Sequence, residues 1–296
     1  MTPTVSVGIM VYNEETTIGR LLDALLRQEV VCAFLKEIMV VASGCTDSTV
    51  EIVTAYVKRD ERVKLIIQEA RKGKASAVNL FLSQASGEII VLESGDTIPL
   101  PGTFDKLLRP FEDPSVGMTG AHPLPINRKD TFMGYVVNLM WELHHKIALY
   151  YPKMGELVAF RNFVRVIPED TPVDEASIEA IVAKKGYRIC YVPEAIVRNK
   201  APETVRDFLC QRRRIATGHK YVRATQKFQV HTDPPLRILR VLLSEHSWGL
   251  RDTVWTAGAI GLEAFARMLG NYDYYLGKKK HTVWDIAPTT KNWNEG

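Results

Sequence analysis

Apolar and polar positions along the first third of the chain fall into blocks whose period changes from block to block. Residues 5–11 (VSVGIMV) form an apolar, β-rich run. Residues 14–28 then place Ile18, Leu21, Leu22, Leu25 and Leu26 at helical spacing. The alternation repeats: strand 36–42, helix 46–60, strand 63–67, helix 73–86 ended by Gly87, strand 88–92. Strands alternating with helices over short connections predict a parallel sheet covered on both faces, an α/β fold. Ligands of such sheets bind outside the carboxyl ends of the strands. Three polar turns, YNEE, SGCTD and ESGD, follow strands directly, so they should converge on one sheet edge.

The later pattern is less regular. A long apolar helix is expected over 131–151, a strand and turn over 155–162, a helix over 174–186 ended by Gly186, and a strand over 187–193. A basic helix follows over 204–224. After Pro234 and Pro235 come two amphipathic stretches, 236–247 and 251–271. The division predicted is a catalytic domain over 1–229 and a C-terminal amphipathic helical region over 230–296.

Composition narrows the class. At 296 residues and 46% hydrophobic, the chain can bury a full core. No apolar run reaches the length of a membrane span, and the N-terminus lacks the layout of a signal peptide. Cys32, Cys45, Cys190 and Cys210 form no CxxC pair and no metal-ligand spacing, so they read as reduced thiols of a cytoplasmic protein. The net charge of +4 is uneven: residues 198–240 hold 11 Lys/Arg against 3 Asp/Glu. That excess suits phosphate or an anionic lipid surface, and no nucleic-acid-binding module accompanies it.

The turns carry the candidate chemistry, and each also has an ordinary structural reading. Asn13 and Glu14 can bind a nucleoside, or Asn13 can cap a helix whose dipole Glu14 complements. In SGCTDST, Gly44 permits a tight approach to a ligand, while Ser43 or Thr46 can serve as a cap. Arg71, Lys72 and Lys74 open a helix, where structural cations are unfavourable and a diphosphate is welcome. Asp96, with Glu93 or Ser94, offers hard oxygen ligands suited to Mg²⁺ or Mn²⁺, or an Asx turn. Asp174 and Glu175 begin a helix, one as a cap and the other as a general base. Gln211, Arg213 and Arg214 lie on the basic helix, and Gln211 and Arg214 share a face that can grip one phosphate.

In this order and spacing, VYNEE, SGCTDST, GKASAVN, LESGDTIP, VDEASIEAIVAKKGYRICYVPEAIV and QRRRIATG resemble the motifs of the family 2 inverting glycosyltransferases of GT-A fold, over residues 5–218. The closing piece resembles the QxxRW group, which includes cellulose, chitin and hyaluronan synthases. The resemblance implies that Tyr12, Asn13 and Glu14 line a nucleoside pocket. Ser43 falls where the family has an aspartate contacting the base, and Lys74 near the base or phosphates. Asp96 matches the second aspartate of the DxD metal motif, and Ser94 stands at the first unless Glu93 substitutes, with Gly95 between Ser94 and Asp96. Glu175 matches the catalytic base and Asp174 its partner; Gln211 and Arg214 match the diphosphate grip. Ile215 replaces the tryptophan that stacks on the acceptor in processive synthases.

These expectations describe an inverting, non-processive enzyme. It moves a hexose-type sugar from a UDP- or GDP-sugar to a hydroxyl of a lipid, lipid-linked or glycan acceptor, with Mg²⁺ or Mn²⁺. The alternative is a non-catalytic GT-A-like protein that binds nucleotide or glycan. A dehydrogenase is disfavoured because no GxGxxG follows the first strand. Trp255, Ala259, Leu262 and Phe265 near one helical face, with Tyr272, Tyr274, Tyr275 and the lysines at 278–280, suit either an interfacial helix on the inner face of the cell membrane or a helix packed on the catalytic domain, the first being preferred.

Overall fold

The computed structural model describes residues 2–229, 238, 240–242, 249–277, 281–291 and 293. The helix expected over 236–247 lies largely outside them, as do the lysines at 278–280.

The expected alternation forms. β1 (Thr4–Val11), α1 (Ile18–Leu26), β2 (Phe34–Ser43), α2 (Thr49–Val57), β3 (Val63–Gln68), α3 (Lys74–Gln84) and β4 (Ile89–Ser94) follow in order. β5 (Thr97–Pro99), α4 (Thr103–Leu108), β6 (Val116–Pro125), α5 (Phe132–Ala148), β7 (Leu157–Arg161), α6 (Asp174–Lys184), β8 (Arg188–Asn199), α7 (Val205–Thr225) and α8 (Leu250–Leu276) complete the chain. The eight strands make one sheet in the order β3-β2-β1-β4-β7-β6-β8-β5. β3, β2, β1 and β4 are mutually parallel, β6 and β8 are parallel, and β7 runs antiparallel to both its neighbours.

The unbroken apolar strands are buried on both faces, as parallel strands require. On one face Val5, Val7 and Ile9 meet Ile18, Leu21 and Leu25 of α1. On the other, Met10, Met39, Ile90 and Leu92 meet Val78 and Phe81 of α3. Gly8 makes that second contact possible, because a Cβ there would lie 2.5 Å from the Phe81 ring. Parallel register aligns Val11 with Ala42 and Met10 with Ser94, so the three polar turns do emerge at one edge.

Two features were not legible in the pattern. β6 (VGMTGAHPLP) carries two glycines and two prolines, which erase a strand signature, yet β7 and β8 pair with it on either side. β8 runs past Pro193, which sits where pairing jumps from Gly120–Tyr191 to His122–Ile196. A β-bulge absorbs the residue that cannot donate.

α8 packs most of this apolar face onto the catalytic domain. Trp255 packs edge-on against Phe132 and Tyr135, at 6.0 and 5.5 Å between ring centroids. Ala259 and Leu262 join a cluster with Val136 and Phe208. The Glu263–Arg267 pair faces α7, where Arg212 closes on Glu263. Of the expected face, Phe265 remains open, 45% exposed. The α7–α8 crossing is close: a Cβ on Gly270 would lie 2.7 Å from both Ala216 Cβ and the Arg213 carbonyl oxygen. Gly270→Val should therefore separate these helices and destabilise the fold by about 1–3 kcal/mol. Urea unfolding would read this as a lower midpoint, and an unchanged midpoint would show the crossing is not held there.

Candidate active site

The turns after β1, β2 and β4 surround a cavity of about 700 Å³, closed by α5, α6, α7, α8 and a C-terminal segment. Tyr12, Glu14, Ser43, Lys74, Ser94, Gly95, Asp96, Glu175, Gln211 and Arg214 all line it. Four predicted residues do not: Asn13, Glu93, Asp174 and Arg213. Asn13, in the left-handed region at φ 54°, stitches two turns together: its Nδ2 donates to Thr46 Oγ1 at 3.0 Å, and its Oδ1 accepts from Thr46 N at 2.8 Å. The expected cap at Asn13 is displaced as well, since α1 starts after Thr17. Glu93 faces the interior, 2% exposed, and accepts from Thr97 Oγ1. Arg213 turns to the far side of α7, where its guanidinium pairs with buried Asp273.

Lys74 is the electrostatic hub. It opens α3, and its Nζ lies 2.9 Å from Asp174 Oδ2 and 2.8 Å from Glu175 Oε1, both in the first turn of α6. Burial would raise both carboxyls, and the pair splits. Asp174, behind the cavity wall, is raised by burial and by Glu175. Glu175, facing the cavity, is raised by burial but carried below its ordinary value by Lys74. The carboxylate that reaches the cavity is thus the one held ionised. In return the two carboxylates hold the Lys74 ammonium, against burial, above its ordinary value.

A second acidic group was not foreseen. Glu156, in the turn before β7, also lines the cavity with φ 59°, and its carbonyl accepts from Ser94 N at 3.1 Å. Burial and then the charge of Asp96 push Glu156 up to about 8, and burial raises Asp96 too. Two crowded carboxylates of this kind fit a hard divalent cation, which would relieve both. Among the described residues no group of three or more His, Cys, Asp or Glu is placed to hold a metal, so this pair would leave the remaining positions to water and ligand oxygens.

The segment after α8, which the helical pattern did not reach, crosses the site. Trp284 covers Arg214, with the guanidinium carbon 3.4 Å from the ring centroid, and lies 5.0 Å from Lys74 Nζ. The Trp284 carbonyl accepts from Arg71 at 2.7 Å, and Arg71 stacks on Tyr12 at 3.9 Å. Lys291 Nζ donates to the carbonyls of Tyr12 and Asn13, at 2.5 and 2.7 Å, and to Glu14 Oε1 at 2.8 Å. An indole thus lies on the arginine whose sequence neighbour is Ile215. Two tryptophans in the tail, Trp284 and Trp293, were the available signal, since such rings rarely stay in water.

The sequence model of Glycosyl transferase family 2 matches residues 6–165, more than half of the chain. The chain belongs to this family. A second model, Glycosyl transferase family group 2, matches residues 89–275. Among curated family 2 relatives, the probable glycosyltransferase YdaM of Bacillus subtilis (strain 168) is 28% identical over 74% of this chain and 56% of its own length. The poly-beta-1,6-N-acetyl-D-glucosamine synthase of Staphylococcus aureus (strain COL) is 26% identical over 70% of this chain and 52% of its own. The chain therefore spans about half the length of these curated relatives. Among solved structures, the mannosyltransferase PcManGT of Pyrobaculum calidifontis, in complex with GDP-Man and Mn²⁺, superposes with a TM-score of 0.65 at 21% identity, over 94% of this chain and 89% of that one. Glucosyl-3-phosphoglycerate synthase of Mycobacterium tuberculosis, with Mg²⁺ and UDP, gives 0.51 at 19% identity, over 72% and 77%. The fold is GT-A.

Lys74→Met tests the hub. Without the ammonium, both carboxyls take folded pKa values above their unfolded ones, so the folded state binds protons more tightly than the unfolded state. Stability then rises as pH falls. The variant should lose about 3–5 kcal/mol near pH 8 and recover part of it near pH 5. Urea unfolding at both pH values measures this, and an equal loss at each would remove the ion-pair explanation.

Proposed function

We propose that this family 2 protein is an inverting, non-processive glycosyltransferase that moves a hexose-type sugar from a nucleotide-diphospho-sugar to an acceptor hydroxyl. The observation that carries this reading is that Glu175, held ionised by Lys74, faces the same cavity as Tyr12, Asp96, Gln211 and Arg214. Glu175 accepts the proton of the acceptor hydroxyl. The oxygen attacks the anomeric carbon from the side opposite the diphosphate, the bond to the diphosphate breaks, and the anomeric centre inverts. Gln211 and Arg214 grip the departing diphosphate, and Trp284 covers Arg214 against water. Asp174 stays behind Glu175 as a positioning residue. Asp96 and Glu156 would hold Mg²⁺ or Mn²⁺, which when bound neutralises charge on the diphosphate. Relatives solved with GDP-Man and Mn²⁺, or with UDP and Mg²⁺, support a purine or pyrimidine diphosphate donor of this kind.

Residues 1–229 are the catalytic domain in this reading, and the described residues of 230–296 cover it. The alternative, a binding protein without turnover, draws on Ser94 at the first metal position. Incubation with Mn²⁺ and a panel of UDP- and GDP-sugars separates the two, because only the enzyme releases nucleotide. Glu175→Gln should lower transfer by ~10²–10⁴-fold while donor affinity is kept. Asp96→Asn should weaken donor binding itself, and excess EDTA should mimic it. Full activity of Glu175→Gln would end the base assignment, and full activity in EDTA would end the metal assignment.

The proposed location is peripheral, on the inner face of a membrane. No described helix is long and apolar enough to cross one. α8 leaves Leu250, Val254, Phe265, Met268 and Tyr275 exposed, an apolar stripe suited to a headgroup boundary. The protein should cosediment with anionic liposomes at low salt and be released as salt rises. Recovery of all protein in the supernatant at low salt would defeat this placement.

A further inference from the structure

Past Glu175 the cavity continues between α6, α7 and α8 into a pocket that the donor reading does not use. Lys153, Arg212, His219 and Arg267 line it, with Glu179 and Glu263. Glu263 is shared: Arg212 Nε and Nη2 donate to it at 2.8 and 2.7 Å, and Arg267 Nε at 2.7 Å. These arginines hold the Glu263 carboxyl ionised, against burial. Glu179 is different, since burial pushes it up to about 8 against the opposing charge of Lys153. His219 is pushed down by burial and by Lys153. Lys153, Arg212 and Arg267 thus line the pocket with two carboxyls, one of them, Glu263, already taken by the two arginines.

Lys153 is the cation left over. It makes no hydrogen bond or ion pair among the described residues, and burial, then Arg212, push its ammonium down to about 8. Glu179 and Glu263 oppose that shift without forming an ion pair with Lys153, and an anion placed against the ammonium would stabilise it further. An apolar wall of the cavity is made by Trp141, Leu143, Leu242 and Ile260. Arg212, His219, Glu263 and Arg267 also line a neighbouring cavity of about 680 Å³, together with Lys220 and Arg223.

We propose that Lys153 and Arg212 form an anion subsite for a phosphate group of the acceptor, so that the acceptor is a phosphorylated compound entering between α7 and α8. Its role as acceptor rests on the glycosyltransferase reading, whereas the anion site does not. The phosphate can belong to an amphiphile whose chain lies on the apolar wall, or to a small soluble phosphate ester.

Calorimetric titration of the full chain with octyl phosphate, glycerol 3-phosphate and octyl β-glucoside tests this. Octyl phosphate should bind the wild type, and octyl β-glucoside should not. Lys153→Met should weaken octyl phosphate by about tenfold or more, Lys153→Arg should restore it, and Arg214→Ala should leave it nearly unchanged. Restoration by arginine separates loss of charge from loss of fold. Equal binding of glycerol 3-phosphate would identify a soluble phosphate ester, and its failure beside octyl phosphate a lipid phosphate. The subsite is overturned if octyl phosphate does not bind, if Lys153→Met binds it as the wild type does, or if only Arg214→Ala abolishes binding, since the probe would then be reading the diphosphate grip. Lys153-dependent phosphate binding by a protein that turns over no nucleotide-sugar would keep the subsite and remove the glycosyltransferase reading.

Discussion

A single buried ammonium sets the terms for this site. Lys74 begins α3, where the partial positive charge of the helix end opposes a cation. Asp174 and Glu175 begin α6, where the same dipole favours anions. The three groups offset one another only because the sheet brings the two helix starts together. α3 is placed by its contact with β1 and β2, and α6 by Ile178 and Val182 in the same apolar cluster. Packing brings the charges into contact, helix rotation turns Glu175 to the cavity, and Lys74 lowers the pKa of the acid exposed there.

Around this hub the cavity is divided by charge. Asp96 and Glu156 crowd one another and are raised toward neutrality, a state that a divalent cation would reverse. Lys153 lines the same cavity, makes no ion pair among the described residues, and is pushed down by burial against the opposing charges of Glu179 and Glu263, a shift that an anion would reverse. Arg214 is held with its guanidinium against Trp284 and bonded to the Pro172 carbonyl at 2.8 Å. The proposed divalent cation and the proposed acceptor phosphate would bring charges of opposite sign to these two groups.

The C-terminal part is bound to this arrangement at several points. Asp273 of α8 accepts from Arg213 of α7 and from His281, which orients the chain leaving α8. Thr289 donates to Asp207 at the start of α7, and Thr16 donates to the Lys291 carbonyl at 2.6 Å. The segment that carries Trp284 and Lys291 over the sheet edge is therefore fixed at both ends. It supplies an aromatic face that the sequence beside Arg214 lacks.

The sequence by itself determined the α/β alternation, the edge at which the turns gather, and ten of the residues that line the cavity there. It could do so because apolar period and turn chemistry are local, and parallel strands force their C-terminal turns to one side. The family resemblance reached Asp96, Glu175, Gln211 and Arg214 through ordered spacing alone. Direction was not local. Arg213 and Glu93 lie one residue from Arg214 and Ser94, and helical rotation and strand alternation turn them away from the cavity. Only the tertiary structure decided that Lys74 holds the acid pair, that Glu156 joins Asp96, and that Trp284 covers Arg214. These are contacts between residues far apart in the chain, made by the sheet order and the α7–α8 crossing, and no local pattern encodes them.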